Sequence, residues 1–279
     1  MDVPKKWQKI LYKKHNYADN YFDKDAFLEG LRKNENVHLY TYLEVFTGMK
    51  TFMVQCDTII LYYVAYYLIL SESVPKILLF SMNVCIPAIW LIWLKKTNIY
   101  SRSDIYESLK NLFVCCLIAY GGSPIIKTLA TEIDTDTIYV SSALIFTLSL
   151  LFHDFGLSVP MVNTNFSTSL CLAASVFLIS RLQNTSDSYY MLVLSYGLFN
   201  TFPKLRNVIN DNVCSLLSVS VVTASLISTF LLQHYLPLFM FYIFCHACIL
   251  RVVPRLFIKA QEWKETIHGP WDEATVRTN

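Results

Sequence analysis

Lys50, Asp57, His153, Asp154 and His246 are ionisable side chains set in or against long apolar stretches. A charge at the centre of a membrane helix costs ~2.5–3.5 kcal/mol on insertion scales, so such groups pair, snorkel or do chemistry. Lys50 and Asp57 lie seven residues apart, two helical turns, and share a face without reaching each other directly. Each is expected to snorkel or to pair across helices. Structural pairing is the plainer account of all five residues, and a proton relay or substrate pathway the sharper one.

Other motifs offer less. Asp134-Thr135-Asp136 has the form of the acidic triplet that holds a metal and a sugar nucleotide in many glycosyltransferases. It is short, however, and falls in a loop expected on the lumenal side, away from cytosolic nucleotide sugars. Gly121-Gly122-Ser123-Pro124 lacks phosphate-loop spacing and is expected at a helix end, where Gly and Pro break or bend a span. In Cys245-His246-Ala247-Cys248 the three ligand-type residues face different directions on one helix, and no fourth is near, so no metal site is expected. Asn184-Thr185-Ser186 is a glycosylation sequon in a loop expected to be too short for modification. No Ser–His–acid or Cys–His spacing of a hydrolase occurs. The residues themselves show no catalytic kit and call for no cofactor.

The elements that carry these groups follow from charge distribution. The chain is 54% hydrophobic and 16% charged, against roughly 25% charged in soluble domains, with a mean hydropathy of +0.39. Residues 1–50 hold sixteen of the 44 charges and residues 251–279 hold nine, leaving nineteen across the 200 between. A net charge of +2 offers no basic field for nucleic acid. The middle therefore reads as an all-α, polytopic helical membrane domain. A span needs ~20 mostly apolar residues, and cutting at the charges predicts about eight: 52–70, 77–94, 111–126, 138–152, 156–180, 189–202, 213–232 and 235–250. The last two are also compatible with a re-entrant hairpin. The short spans suit the thin bilayer of the endoplasmic reticulum, about 27 Å.

Nineteen basic residues fall on the side shared by the two termini and three, Lys76, Lys127 and Arg181, on the other. The positive-inside rule then places both termini in the cytosol. Residues 1–44 form an interfacial or cytosolic segment, 45–250 the membrane domain and 251–279 a cytosolic tail. Met1 is followed by lysines rather than an apolar run, so the first span is expected to act as a signal anchor. The eight cysteines lie in or beside apolar stretches, which argues against a disulfide scaffold. Trp7, Ile10, Leu11 and Lys14 share one helical face suited to the headgroup region, and a second helix is expected from Asp23. Residues 255–265 read as an extension of the last helix, stopped at Gly269-Pro270. Trp271-Asp272-Glu273 follows, an aromatic with no apolar run to bury it, read equally as a frayed end or as a docking surface.

Several blocks are similar to one family. Trp7-Gln8-Lys9-Ile10-Leu11-Tyr12, Asp19-Asn20-Tyr21 and Phe27-Leu28-Glu29-Gly30-Leu31-Arg32 resemble the amino-terminal signature of the PIG-C family. Ser123-Pro124-Ile125-Ile126-Lys127-Thr128-Leu129, leading into Thr135-Asp136-Thr137-Ile138-Tyr139, resembles its central block. Phe152-His153-Asp154-Phe155-Gly156 and residues 175–182 follow, and Ile267-His268-Gly269-Pro270-Trp271-Asp272-Glu273-Ala274 is similar to its closing motif.

The resemblance implies a subunit of the endoplasmic reticulum complex that transfers N-acetylglucosamine from UDP-N-acetylglucosamine to phosphatidylinositol, the first step of glycosylphosphatidylinositol anchor synthesis. Transfer in that family belongs to another, cytosol-facing subunit. The implied role here is a non-catalytic scaffold without cofactor or metal, partnered by the catalytic and accessory subunits and by phosphatidylinositol. On that footing Ser123, Pro124, Lys127, Thr128, His153 and Asp154 are candidates for a lipid groove, with His153 and Asp154 on the cytosolic side, where an inositol headgroup would meet the enzyme. Trp7, Tyr12, Asn20, Tyr21, His268, Pro270, Trp271 and Asp272 are the partner-docking candidates. A lipid or small-solute transporter using Lys50, Asp57 and His246 is the competing class, although such proteins usually show repeated halves and none is visible. A stand-alone intramembrane enzyme would need a convergent catalytic set that cannot be assembled.

Overall fold

The computed structural model describes residues 32–33, 39–72, 102–129, 132–153, 155, 164–204, 206, 213–264 and 267–268. The expected span at 77–94, the amino-terminal helices, and Trp7, Tyr12, Asn20, Tyr21, Asp154, Pro270, Trp271 and Asp272 lie outside the described residues. The chain divides into two compact units. One is Leu43–Pro254; the other joins Met1–Tyr42 to Arg255–Asn279.

The larger unit is helical. Its elements are α1 (Tyr42–Leu70), α2 (Arg102–Leu129), α3 (Thr135–Leu151), α4 (Thr164–Ile179), α5 (Thr185–Tyr196), α6 (Val213–His234) and α7 (Leu236–Ala247). Helices therefore fall on seven of the eight expected apolar segments. Among the described residues, Tyr42–Leu70, Lys110–Thr128 and Leu236–Trp263 are long and apolar enough to cross a membrane. Thr135–Leu151, Asn165–Ile179 and Ser220–His234 are apolar but shorter.

Helix α1 is the spine. It contains no Pro over 29 residues, rising about 43 Å, and its side chains reach both flanks of the unit. On one flank Tyr62 packs on Phe146 of α3 and on Phe199, with ring centroids 6.1 and 5.4 Å away, and Phe146 meets Phe199 at 5.4 Å. These three rings, all buried, centre a core that includes Tyr66, Cys171, Leu178 and Met191. On the other flank Tyr67 meets Phe230 of α6 and the Tyr235 ring between α6 and α7. There a smaller core gathers Ile227, Leu231 and Tyr242. The outward faces stay apolar: Phe113, Ile118 and Ile125 on α2, Leu144 on α3, and Met240, Phe241 and Phe244 on α7 are each exposed. Lipid tails are the natural solvent for such faces.

Two prolines explain two departures from regular helix. A π-turn, Gly197–Thr201, continues α5, with the Phe202 N–H bonded to the Gly197 carbonyl, and Pro203 follows at once. A second π-turn, Cys248–Val252, continues α7, with Val253 N–H on the Cys248 carbonyl, immediately before Pro254. A proline ring collides with the carbonyl four residues back and has no N–H to offer it; the wider i→i+5 pairing relieves both problems. Pro124 is accommodated differently. The helix end expected at Gly121-Gly122-Ser123-Pro124 does not fall there, because α2 runs through it to Leu129. The Tyr120 carbonyl, which Pro124 cannot serve, accepts from Ser123 Oγ at 3.2 Å. A side-chain hydroxyl thus takes over the missing backbone donor.

The Asp134-Thr135-Asp136 triplet also has a local explanation. Asp134 is the extended N-cap residue of α3 and Asp136 stands in its first turn, where carboxylates favour the helix dipole.

In the terminal unit, α8 (Val253–Ala260) carries the chain into it and is followed by a 3-10 turn, Gln261–Trp263. Strand β1 (Arg32–Lys33) pairs antiparallel with β2 (Ile267–His268), with Arg32 opposite His268 and Lys33 opposite Ile267. The Gln261 amide closes a reciprocal pair with Tyr40: Tyr40 N–H to Oε1 at 2.7 Å and Nε2–H to the Tyr40 carbonyl at 3.1 Å. The Tyr40 and Phe257 rings pack edge to face. Among the described residues the all-α expectation therefore holds but for this two-residue ladder, which pairs segments from the two ends of the chain.

Candidate functional site

Where α3 ends, four segments meet in one buried network around a guanidinium. Arg206, just past the first π-turn, is 1% exposed, as is Gln55 on α1. Arg206 Nη1 donates to Gln55 Oε1 at 3.1 Å, and Nη2 lies 3.1 Å from His153 Nε2. The donor must be the guanidinium, which has no acceptor, so Nε2 carries no proton. His153 Nδ1, 3.1 Å from Ser167 Oγ on α4, is then the protonated nitrogen and donates. Ser167 Oγ passes its own proton to the Ser149 carbonyl of α3 at 2.9 Å. Donors and acceptors thus alternate in one direction from Arg206 to α3, and the chain of bonds fixes a neutral imidazole in a single tautomer. Burial, reinforced by the neighbouring Arg206 charge, pushes the His153 imidazole down to about 3. Phe155 packs on the His153 ring at 5.1 Å and on Phe52 of α1 at 5.8 Å, which closes an aromatic side around the network.

The other ionisable groups fall into two arrangements. Asp57, 1% exposed, accepts from Tyr242 Oη at 2.8 Å. His246 Nε2 stands 3.3 Å from the same carboxylate, and its Nδ1 is 3.2 Å from the Tyr242 carbonyl. The set bridges α1 and α7, the cross-helix pairing expected of Asp57, with His246 and Tyr242 as its partners. Lys50 stays on its own helix, with its ammonium 5.1 Å from the centre of the Phe46 ring, a cation–π contact one turn away. Asp57 and Lys50 have separate partners.

The central-block candidates lie elsewhere. Ser123 is buried, while Pro124, Lys127 and Thr128 are exposed. The Thr128 hydroxyl is committed to the Ile125 carbonyl at 2.9 Å. Lys127, in the last turn of α2, suits the negative end of the helix dipole. The Tyr120 ring meets Tyr189 at the start of α5, whereas Arg206 and His153 meet beyond its end. Arg206 stands seventeen positions beyond Tyr189, so these groups occupy opposite ends of α5 and its continuation, about 25 Å apart at helical rise. The structure therefore unites His153 with Gln55, Arg206 and Ser167, and does not unite it with Ser123, Pro124, Lys127 or Thr128. Of the docking candidates, His268 alone is described, as the ladder partner of Arg32.

Sequence reasoning missed Gln55, Ser167, Arg206 and Tyr242. Gln55 interrupts an apolar run with an amide, a signal that a search for charges alone passes over. Arg206 reads in sequence only as one more basic residue in a loop. Among the described residues, no cluster of three His, Cys, Asp or Glu side chains suits a metal.

Helices with apolar outward faces, threaded by buried polar pairs, define a protein of the helical membrane class. The chain belongs to the GPI2 family, described as phosphatidylinositol N-acetylglucosaminyltransferase, which it matches over residues 7–272. It is 30% identical to the human C subunit of phosphatidylinositol N-acetylglucosaminyltransferase, across 98% of this chain and 93% of that protein. The mouse C subunit is 28% identical across 99% and 95%. The Schizosaccharomyces pombe protein named as the GPI2 subunit of the same transferase is 25% identical across 98% and 88%. No solved structure matches the chain.

Proposed function

We propose that this chain is a non-catalytic, multi-pass subunit of the endoplasmic reticulum complex that transfers N-acetylglucosamine from UDP-N-acetylglucosamine to phosphatidylinositol, opening glycosylphosphatidylinositol anchor synthesis. The observation that carries this reading is the end-to-end match to proteins named as the C or GPI2 subunit of that transferase. The reading includes about eight spans, cytosolic termini, and the division into residues 1–44, 45–250 and 251–279. The apolar outward faces and the strong bias of basic residues toward one side support it.

Within the complex the chain holds the catalytic and accessory subunits over the membrane and helps present the lipid. Trp7, Tyr12, Asn20, Tyr21, His268, Pro270, Trp271 and Asp272 supply docking; the pairing of residues 32–33 with 267–268 supports a role shared by the two ends. His153 and Asp154 are assigned to the cytosolic rim of a lipid groove, with Ser123, Pro124, Lys127 and Thr128 at its far end. His153 takes this part through the Arg206 network, which holds the neighbouring backbone in place.

The test is a mild-detergent pull-down assayed for transfer of labelled N-acetylglucosamine to phosphatidylinositol. Co-purified activity with a separate glycosyltransferase polypeptide is expected. A solitary chain without transfer would discredit the subunit reading. Asp154→Ala should lower transfer while assembly persists; equal loss of both would make Asp154 structural. Trp271→Ala should first weaken co-purification of partners, and unchanged co-purification would sink the docking role.

A further inference from the structure

Helix α8 and the turn after it present Leu256, Ala260 and Trp263 at i, i+4 and i+7, and the face they make is open. Leu256 is 60% exposed and Trp263 77%. The neighbouring face is used differently, since Phe257 and Gln261 turn toward Tyr40. Arg255, Lys259 and Lys264 flank the open stripe and are exposed as well, with Glu262 the one acid of the segment 255–264. An aromatic–aliphatic stripe edged by bases suits the boundary between acyl chains and headgroups.

Chain connectivity sets its depth. Crossing 27–30 Å of hydrocarbon takes about 18–20 helical residues. Counted from Leu236, the start of α7, that length ends near residues 254–256. By that count Arg255 falls at headgroup level, where the stripe that follows it can lie down.

We propose that the Leu256–Ala260–Trp263 face, with Arg255, Lys259 and Lys264, is a binding surface for anionic phospholipid. The excess of basic over acidic side chains selects the headgroup charge, and the stripe inserts between headgroups. The inference rests on the membrane-spanning part of the reading above and not on its transferase part. Each basic residue near an anionic surface strengthens attraction by about fivefold, so three of them exceed what neutral lipid offers the same stripe.

The test reconstitutes the full chain in nanodiscs containing dibrominated phosphatidylserine or dibrominated phosphatidylcholine at equal mole fraction. Bromine quenches nearby tryptophans, and Trp263→Phe isolates the contribution of Trp263. Trp263 should be quenched at least about fivefold more by the anionic lipid, the preference one basic residue supplies, and the triple change Arg255→Gln, Lys259→Gln, Lys264→Gln should abolish that preference. Equal quenching by both lipids would overturn the anionic assignment. No Trp263 contribution, with the other tryptophans still quenched, would refute the surface while leaving the spans intact. Quenching that disappears when partner subunits are added would give the face to a protein and equally overturn the proposal. Absence of quenching at every tryptophan would remove the membrane reading and this surface with it.

Discussion

Acidification should loosen the network around His153, and the size of the effect follows from its geometry. The imidazole is held neutral, at about 3 against an ordinary value of 6.5, because it is buried and lies beside Arg206. Between these two values the unfolded chain binds a proton that the folded chain refuses, so stability rises with pH across that window. The contribution is complete above about 6.5 and is lost progressively as pH falls toward 3. At pH 5 the deficit is about 1.5 pH units times 1.36 kcal/mol, or ~2 kcal/mol. For a chain of this length that corresponds to a fall of several degrees in the unfolding midpoint. The assay is thermal unfolding in detergent, followed by fluorescence size-exclusion chromatography at pH 7.5 and pH 5. His153→Gln supplies the control. Its amide oxygen can accept from Arg206 and its N–H can serve Ser167, with no proton to gain. The wild type should lose those degrees between the two pH values and the variant should lose far less. An identical pH response in both proteins would show that His153 does not carry the linkage, and the assignment of its neutral tautomer would fall with it.

Other contacts carry further expectations. Arg206→Ala leaves the Gln55 and His153 acceptors buried without their donor, and should lower stability by about 2–5 kcal/mol; the shift in unfolding midpoint reads this directly. Asp57→Ala strands Tyr242 and His246 and should destabilise by ~3–5 kcal/mol. Tyr242→Phe, which removes the 2.8 Å bond alone, should cost about 1–2 kcal/mol, so a ranking in the opposite order would refute the clamp between α1 and α7. Phe199→Ala, which removes one corner of the buried Tyr62–Phe146–Phe199 triangle, should cost ~3–5 kcal/mol by the same measurement.

How much of the fold and site is legible in the sequence depends on the kind of signal. Charge-free stretches announce the helices, because hydrocarbon demands apolar side chains along nearly every turn. Asp57 can be expected to pair across helices since an acid in an apolar run must find company, but nothing in the sequence names His246 as the partner. Their meeting point is not legible: it depends on α7 lying against α1, and Tyr242, the third member, looks in sequence like any lipid-facing aromatic. The His153 network is half visible. His153 draws attention as an ionisable group, but Gln55, Ser167 and Arg206 come from three other segments and converge only on packing. Pro124 misleads because Pro usually ends a helix in water, whereas here the Ser123 hydroxyl restores the lost bond and the helix persists. The pairing of residues 32–33 with 267–268 has no local signature, since two residues of strand carry no alternation to read.

The two π-turns have a consequence for the permitted length of the chain. Each contains one residue more than an α-helix needs to cover the same rise, a spare that the flanking turns do not feel. Removing one residue from within 197–201, the core residue Phe199 excepted, should therefore be tolerated only together with Pro203→Ala, because a turn contracted to ordinary helix returns the proline ring to the carbonyl four residues back. Removing Lys204 instead, past Pro203, has no slack to draw on and swings the guanidinium about 100° away from both. Single-residue deletions along this stretch should thus divide at Pro203: those before it, outside Phe199, are rescued by Pro203→Ala, and deletion of Lys204 is not.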